Sequence, residues 1–368
     1  MKFSCTKDEL LTSINIVQKA VSTKSTLPVL EGILIQTQKD ALKLVATDLD
    51  LYIETYMGAS IQREGSVVLK SRIFSEIVRM LPEGNVTIEV DQQNVAVIRS
   101  AGSEITLIGF DSQDFPVIPK VEEKNPIELP QDLVSNVIRQ VTFAVSKDET
   151  KPILQGVLME VTGNEVNFVA LDGYRMALRT CTLDKTYEEK SVVIPGKNLN
   201  EIGKILTQDD AKVSITMADN HVLFDLGYTR IISRLLEGEF INYKQFIVDD
   251  HTTRFKVNCK NMLDSVLRAS LVAMDGKYYI ARLSIIDDKL IITSNSEMGK
   301  AYEELPISKE GNDLDIAFNF RYLLDVLRAV DCEEIYMDCT TNVSPAIITP
   351  VDNNSFLYLL LPVRTTSN

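Results

Sequence analysis

The chain has 368 residues, room for two to three domains at roughly 100–200 residues each, and its 45% hydrophobic content is ordinary for a packed protein. A formal net charge of −14 excludes tight, non-specific nucleic-acid binding over the surface as a whole, so basic groups matter only where they gather locally. Five scattered cysteines without a C-x-x-C fit a reducing cytoplasm and supply no metal motif. No apolar run approaches the ~20 residues of a membrane span, and the start MKFSCTKDELL has no apolar stretch of the signal-peptide kind.

Residues 1–5 read as a strand, and Thr6 with Glu9 has capping-box spacing at a helix start. Leu10, Ile14, Val17 and Val21 form the buried stripe of that helix. Strands follow over 30–36, 42–47 and 52–57. The stretch VLKSRIFSEIVRMLPEG (68–84) is an apolar strand, a polar break and an amphipathic helix with Phe74, Ile77, Val78 and Leu81 on one face. Pro82 and Gly84 stop it. Strands over 86–90, 95–99 and 105–110 complete a meander.

The same order then recurs. Residues 127–129 are a strand, Pro130 sits where a helix begins, and Leu133, Val134, Val137 and Ile138 are its stripe. KPILQGVLMEV (151–161) stands where LPVLEGILIQT (27–37) stood, and NFVALDGYRMAL (167–178) where KLVATDLDLYI (43–53) stood. VIPGKNLNEIGKIL (193–206) repeats the strand and helix, with Leu199, Ile202 and Leu206 apolar, and EGEFINYKQF (237–246) matches SQDFPVIPK (112–120). The third copy begins with FKVNCKNMLDSVLRASL (255–271), where Asn258 is the expected N-cap. It continues with YYIARLSII and KLIITSNSEMG and repeats the second helix as IAFNFRYLLDVLRAV (316–330), with Leu323, Val326 and Leu327 apolar. It closes on YLLLPVRTTSN. The period of about 125 residues is well beyond the ~20–50 of solenoids, so each copy is a whole domain. The predicted domains are 1–122, 123–251 and 252–368, in an α+β fold of three tandem units.

The polar faces of the repeated helices agree as well. Arg72 and Arg79, Lys197 and Lys204, Arg321 and Arg328 are basic pairs seven residues apart, which two helical turns bring to nearly the same side. One solvated helix carries such residues anyway; the same pair on three equivalent helices points to a shared surface. On the first helices Arg139 and Arg268 hold equivalent places, while Ile16 takes that place in the first copy. Asp48, Asp50, Asp172 and the run Asp249, Asp250 and His251 do not read as a metal or acid–base site. Asp48 and Asp172 are equivalent residues at one strand end, which is turn chemistry. The two histidines, His221 and His251, lie in loop-like contexts, and no phosphate loop or nucleophile motif occurs. No metal, cofactor or catalytic group is expected. Leu154, Leu171, Met176, Phe246 and the apolar terminal strand read as core or as a groove between the second and third units.

Together the triplicated unit, the MKF start, TLPVLEGILI, VATDLDLYIE, RMLPEG, ALDGYRMA, EGEF-x-x-Y and the terminal Y-x-x-x-P-x-R resemble the bacterial DNA polymerase III beta subunit, the sliding-clamp family, over essentially the whole chain. The resemblance implies a head-to-tail dimer forming a six-domain ring around double-stranded DNA, helices inside and sheets outside. Such a clamp is not an enzyme and makes the replicative polymerase processive. The resemblance also implies a pocket between domains 2 and 3 for short linear motifs of the polymerase, the clamp loader and repair proteins. Carried over by position, that pocket uses Leu154, Leu171, Gly173, Tyr174, Arg175, Met176, Ile241, Phe246, Leu359, Leu360, Leu361, Pro362, Val363 and Arg364. Tyr174 stands where the family often has His, Ile241 where it often has Pro, and three residues extend past the usual end, departures that point to a different peptide preference. Lys24, Lys147 and Lys151 match loop positions that touch DNA in the family, and Ile105, Val272 and Ala273 match the dimer contact. The competing reading is a triplicated scaffold that binds only protein peptides.

Overall fold

The computed structural model describes residues 1–368 except 23, 24, 210, 248, 249, 274–278 and 365–368. Lys24 and Asp249 therefore lie outside the described residues. The first repeat runs β1 (Lys2–Thr6), α1 (Lys7–Val17), β2 (Gly32–Gln38), β3 (Ala41–Thr47), β4 (Leu51–Gly58), β5 (Ser60–Arg63), β6 (Ser66–Lys70), α2 (Ser71–Met80), β7 (Asn85–Val90), β8 (Val95–Ser100) and β9 (Ser103–Ile108). The second has β10 (Ile127–Pro130), α3 (Gln131–Val141), β11 (Gly156–Leu171), β12 (Arg175–Pro195), α4 (Gly196–Gly203), β13 (Lys212–Met217), β14 (His221–Asp225) and β15 (Thr229–Arg234). The third has β16 (Thr253–Asn258), α5 (Cys259–Ala273), β17 (Ile280–Ile286), β18 (Lys289–Ser296), β19 (Gly299–Pro306), β20 (Ser308–Gly311), β21 (Leu314–Asn319), α6 (Phe320–Ala329), β22 (Glu334–Cys339), β23 (Ala346–Pro350) and β24 (Phe356–Leu360).

Local chemistry places several of these boundaries. Thr6 caps α1 by accepting from the Glu9 N–H, and its hydroxyl in turn donates to the Glu9 carboxylate at 2.6 Å. Asn258 accepts from the Asn261 N–H and caps α5. Helix α1 stops at Val17, earlier than its apolar spacing predicts, and passes into a 3-10 turn over Gln18–Ala20. Ala20 then takes the buried place expected of Val21, because a 3-10 turn advances by three residues. Pro130 ends β10 instead of opening α3; its fixed φ also suits extended backbone. Helix α4 ends at Gly203, so Leu206 and Lys204 lie beyond it, with Leu206 still buried.

The chain divides into two compact units that cut across the repeats: 1–135 with 197–235, and 136–196 with 236–368. The first holds a five-stranded sheet, β5-β1-β7-β8-β9, and an eight-stranded sheet, β10-β13-β14-β15-β4-β3-β2-β6. The second holds a seven-stranded sheet, β11-β12-β24-β23-β22-β16-β20, and a four-stranded sheet, β19-β18-β17-β21. In the middle repeat β11 and β12 are long hairpin strands that each do the work of two strands of the first repeat, with irregular register around Gly163. So the last strand of the second repeat pairs with β4 of the first, Ile231 opposite Ile53. The last strand of the third pairs with β12 of the second, Ala177 opposite Tyr358. Strand alternation puts Phe3, Val86, Ile88, Ala96 and Ile98 into one core, and α5 packs on β18, β19 and α6 over Leu283, Leu290, Ile292, Leu323 and Val326. Among the described residues no helix is long and apolar enough to cross a membrane.

Candidate functional site

The repeated helices bury the faces their spacing dictates. Phe74 and Val78 of α2, Leu199 and Ile202 of α4, and Leu323, Val326 and Leu327 of α6 are at most 1% exposed, which leaves the basic pairs on the outward faces. Their charges are not equally available. Arg72, Arg321 and Arg328 are exposed and, among the described residues, form no ion pair. Arg79 reaches Glu76 at 2.8 Å and Lys204 reaches Glu201 at 2.6 Å, neighbours on their own turns. Lys197 reaches Asp50 at 3.1 Å and Asp48 at 3.6 Å. Partial burial pulls its ammonium down, but the hydrogen bond to Asp50 and the two carboxylates outweigh this and raise it above the usual lysine value.

The two arginines on the first helices are held elsewhere. Arg139 Nη1 donates to the carbonyls of Arg328 and Ala329 at 3.1 and 3.2 Å, so it caps the C-terminus of α6, where cations are favoured. Arg268 donates to Glu303 through Nε and Nη2 and to Ser265 Oγ, and the bonds to Glu303 raise its guanidinium above the ordinary arginine value. Lys147 and Lys151 are exposed on a turn built by Asp148 and Thr150.

The equivalent acidic residues do turn chemistry. Asp48 Oδ1 accepts from the N–H groups of Asp50 and Leu51, and Asp172 Oδ1 accepts from those of Tyr174 and Arg175. The middle of each turn has positive φ: +78° at Leu49 and +89° at Gly173. Only the second copy uses the residue that adopts this conformation without strain. Among the described residues no group of three His, Cys, Asp or Glu is placed to hold a metal. Burial pushes the thiols of Cys5, Cys259 and Cys339 up to about 12 and that of Cys181 to about 11, which leaves them protonated and unreactive near neutral pH.

Beside the second turn lies an apolar cluster of Leu154, Leu158, Val169, Leu171, Met176, Val193, Tyr243 and Leu359, with Leu178, Phe240, Ile247 and Leu357 packed against it. It gathers four of the residues expected to line a pocket: Leu154, Leu171, Met176 and Leu359. It adds Leu158, Val169, Val193, Phe240 and Tyr243, which sequence reasoning passed over, although strand alternation with Leu171 marks Val169. Ile241 and Phe246 are exposed at 38% and 40%, while their neighbours Phe240 and Tyr243 pack inward. Leu361 is also exposed, Pro362 and Val363 are half-buried, and Arg364 is exposed. Tyr174 is exposed beside Gly173, and its carbonyl accepts from the Leu361 N–H at 2.8 Å. Leu360 and Arg175 are buried on the opposite side of the sheet, because successive side chains of β12 and β24 point to opposite faces.

Two of the sheet edges bear on the expected dimer contact. Strand β9 ends the five-stranded sheet and β19 ends the four-stranded one. Ile105 is half-buried on β9, with Ile108 nearly bare. Beside β19, Val272 is half-buried, Ala273 is buried within its own chain, and Leu271, Met298 and Tyr302 are exposed.

The comparison with known proteins agrees over the full length. The N-terminal domain of the DNA polymerase III beta subunit family matches residues 1–119, its central domain 128–242 and its C-terminal domain 244–364. The "Beta sliding clamp" of Bacillus subtilis (strain 168) is 39% identical over 377 residues, covering 99% of this chain and 100% of the relative. The crystal structure of a DNA polymerase sliding clamp from Bacillus subtilis matches with a TM-score of 0.97 at 38% identity, covering 100% of both chains. A sliding clamp from Pseudomonas aeruginosa, solved bound to griselimycin, matches with a TM-score of 0.94 at 25% identity, covering 99% of this chain and 100% of that one.

Proposed function

The chain belongs to the DNA polymerase III beta subunit family, the sliding clamps, and from that premise we propose that two copies close head to tail around duplex DNA and tether the replicative polymerase to it. The protein is a non-catalytic accessory subunit of the polymerase. Each copy contributes three domains, over 1–122, 123–251 and 252–368, and works in the cytoplasm.

The observation that carries the ring is the strand order. The last strand of repeat two pairs with the third sheet strand of repeat one, and the last strand of repeat three pairs with its counterpart in repeat two. By the same rule β9, the last strand of repeat one, seeks the edge of a third repeat. Within one chain β9 and β19 both end their sheets, so a second copy supplies each partner. A contact between different patches closes into a ring when its rotation closes.

Exposed Arg72, Arg321 and Arg328, together with Arg79, Lys197, Lys204, Lys147 and Lys151, meet the phosphates weakly and without regard to sequence, which permits sliding. The acidic excess lies on the remaining surface. Retention is then topological, and a polymerase fastened to the ring returns to the primer end at high effective concentration. The fastening point is the apolar cluster beside Tyr174, which suits short motifs of the polymerase, clamp loader and repair proteins, and griselimycin as a probe.

The test is retention after loading by a competent clamp loader, on nicked circular DNA and on the same DNA cut once. Retention on circles and loss from cut DNA is the expected result. Equal retention on both overturns the topological link, and no retention on either leaves a scaffold that binds only peptides.

A further inference from the structure

A continuous row of stacked groups runs through the unit that contains the pocket. The rings of Tyr174 and Tyr322 stack with centroids 5.8 Å apart and planes 22° from parallel. The Arg175 guanidinium lies 4.6 Å from the centroid of Tyr322 and 5.2 Å from that of Phe143. Phe143 meets Tyr358 edge-on at 5.6 Å, and Tyr358 stacks on Phe356 at 4.8 Å. The row begins at a ring that is 60% exposed and ends inside β24, whose opposite face gives Leu357 and Leu359 to the apolar cluster.

Arg175 is the centre of the row and is 6% exposed. Its Nε donates to Asp172 Oδ2 at 3.0 Å, Nη1 to Asp325 Oδ2 at 2.7 Å and Nη2 to the Phe143 carbonyl at 2.6 Å. Each of its three nitrogens donates within the fold, rings lie beside the guanidinium, and the side chain is on the sheet face opposite Met176 and Leu359. Two of its partners, Tyr322 and Asp325, sit on α6. Where repeats one and two share a sheet the turn is fastened in other chemistry: Lys197 and the Asn198 amide of α4 bind at Asp50. There the link is an exposed lysine; here it is a buried, planar, charge-assisted one, which holds a geometry more tightly.

We propose that Arg175 is the positioning residue of the peptide pocket: it locks the 172–174 turn to α6 and so fixes the Tyr174 rim and the Leu361 edge without touching the peptide. The proposal rests on the pocket reading above. Its test compares the wild type with Asp325→Asn, Arg175→Lys and the double variant. Calorimetric titration with griselimycin reads the pocket, and hydrogen exchange at the Tyr174, Arg175 and Leu361 amides reads the turn. Each single variant is expected to weaken griselimycin and to speed exchange at these amides by about tenfold, with the double variant no worse than Arg175→Lys, because one strut is broken once. Loss of affinity in Arg175→Lys with wild-type affinity and exchange in Asp325→Asn makes Arg175 a direct contact and overturns the proposal. Unchanged exchange in both variants overturns it as well. A wild type that does not bind griselimycin sinks the pocket reading alone, and the exchange rates still decide whether the strut exists.

Discussion

Arg139 and Arg268 occupy equivalent helix positions, for which the resemblance implies contact with DNA, yet each is engaged by a group of its own fold. The partner of Arg139 is a helix end 189 residues away, and that of Arg268 is a glutamate 35 residues away. Neither distance leaves a periodic signal, so the sequence could place these side chains on a face but not say what they hold. For Arg139→Ala we expect a loss of about 1 kcal/mol in a urea titration, the worth of a charge-assisted helix cap, with retention on circular DNA unchanged. At the edge of the apolar cluster, Tyr243 Oη donates to Glu160 Oε2 at 2.7 Å and Lys244 lies at 3.1 Å. Burial pushes the Glu160 carboxyl up, but the bonds from Tyr243 and Lys244 pull it down further, and the net position is below the ordinary 4.5. A depressed carboxyl contributes stability that is present in full above 4.5 and is lost as pH falls through its lower folded value. Stability in a urea titration should therefore be level from neutral pH down to about 4.5 and fall below it. Glu160→Gln should show the lower stability already at pH 7, with the acid step flattened; an unchanged acid limb in that variant would assign the step to another group.

At the scale of elements, the helix periodicity was legible because burial imposes it: Phe74, Val78, Leu323 and Leu327 fall where the 3.6-residue repeat puts them. What the pattern could not show is which lysines and arginines already have carboxylate partners. Lys197 meets Asp50 across 147 residues, and Lys204 lies past the end of α4. The three arginines with no ion pair among the described residues, on α2 and α6, carry the strongest expectation. Replacing Arg72, Arg321 and Arg328 together with Ala should weaken binding to linear duplex and reduce the slope of log K against log salt by up to about 0.9 for each phosphate left without its cation. Arg79→Ala with Lys204→Ala should move that slope less, since Glu76 and Glu201 already offset those charges; an equal effect would show that the ion pairs open on DNA. The strand edge supplies a second expectation. Ile108 is 81% exposed on β9, so replacing it removes little buried surface within one chain. Ile108→Asp should leave the melting curve of dilute protein unaltered and shift the sedimentation of concentrated protein from dimer to monomer; a dimer that survives places the interface elsewhere.

At the scale of the whole molecule, the threefold repeat was readable from equivalent motifs such as VATDLDLYI and NFVALDGYRMAL, but the sharing of sheets between repeats was not. Strand alternation says which face is buried and is silent about which neighbour a strand takes. The middle repeat, read as one domain, gives β10 and β13–β15 to one sheet and β11 and β12 to another. A repeat that completes its neighbours' sheets leaves the two ends of the chain incomplete, and each end carries exposed apolar groups: Ile73, Met80 and Ile108 in the first repeat, Leu271, Met298 and Tyr302 in the third. Joining those ends places the cost of the open edges on the dissociated state. Anything that binds the folded chain and not the unfolded one stabilises it by mass action, by about 2.7 kcal/mol at one hundred times the dissociation constant. The melting temperature should therefore rise with protein concentration in the wild type and stay constant in Ile108→Asp, with the wild type converging on the variant at high dilution. A concentration-independent wild type that sediments as a monomer would remove the two-copy ring, and with it the topological hold on DNA.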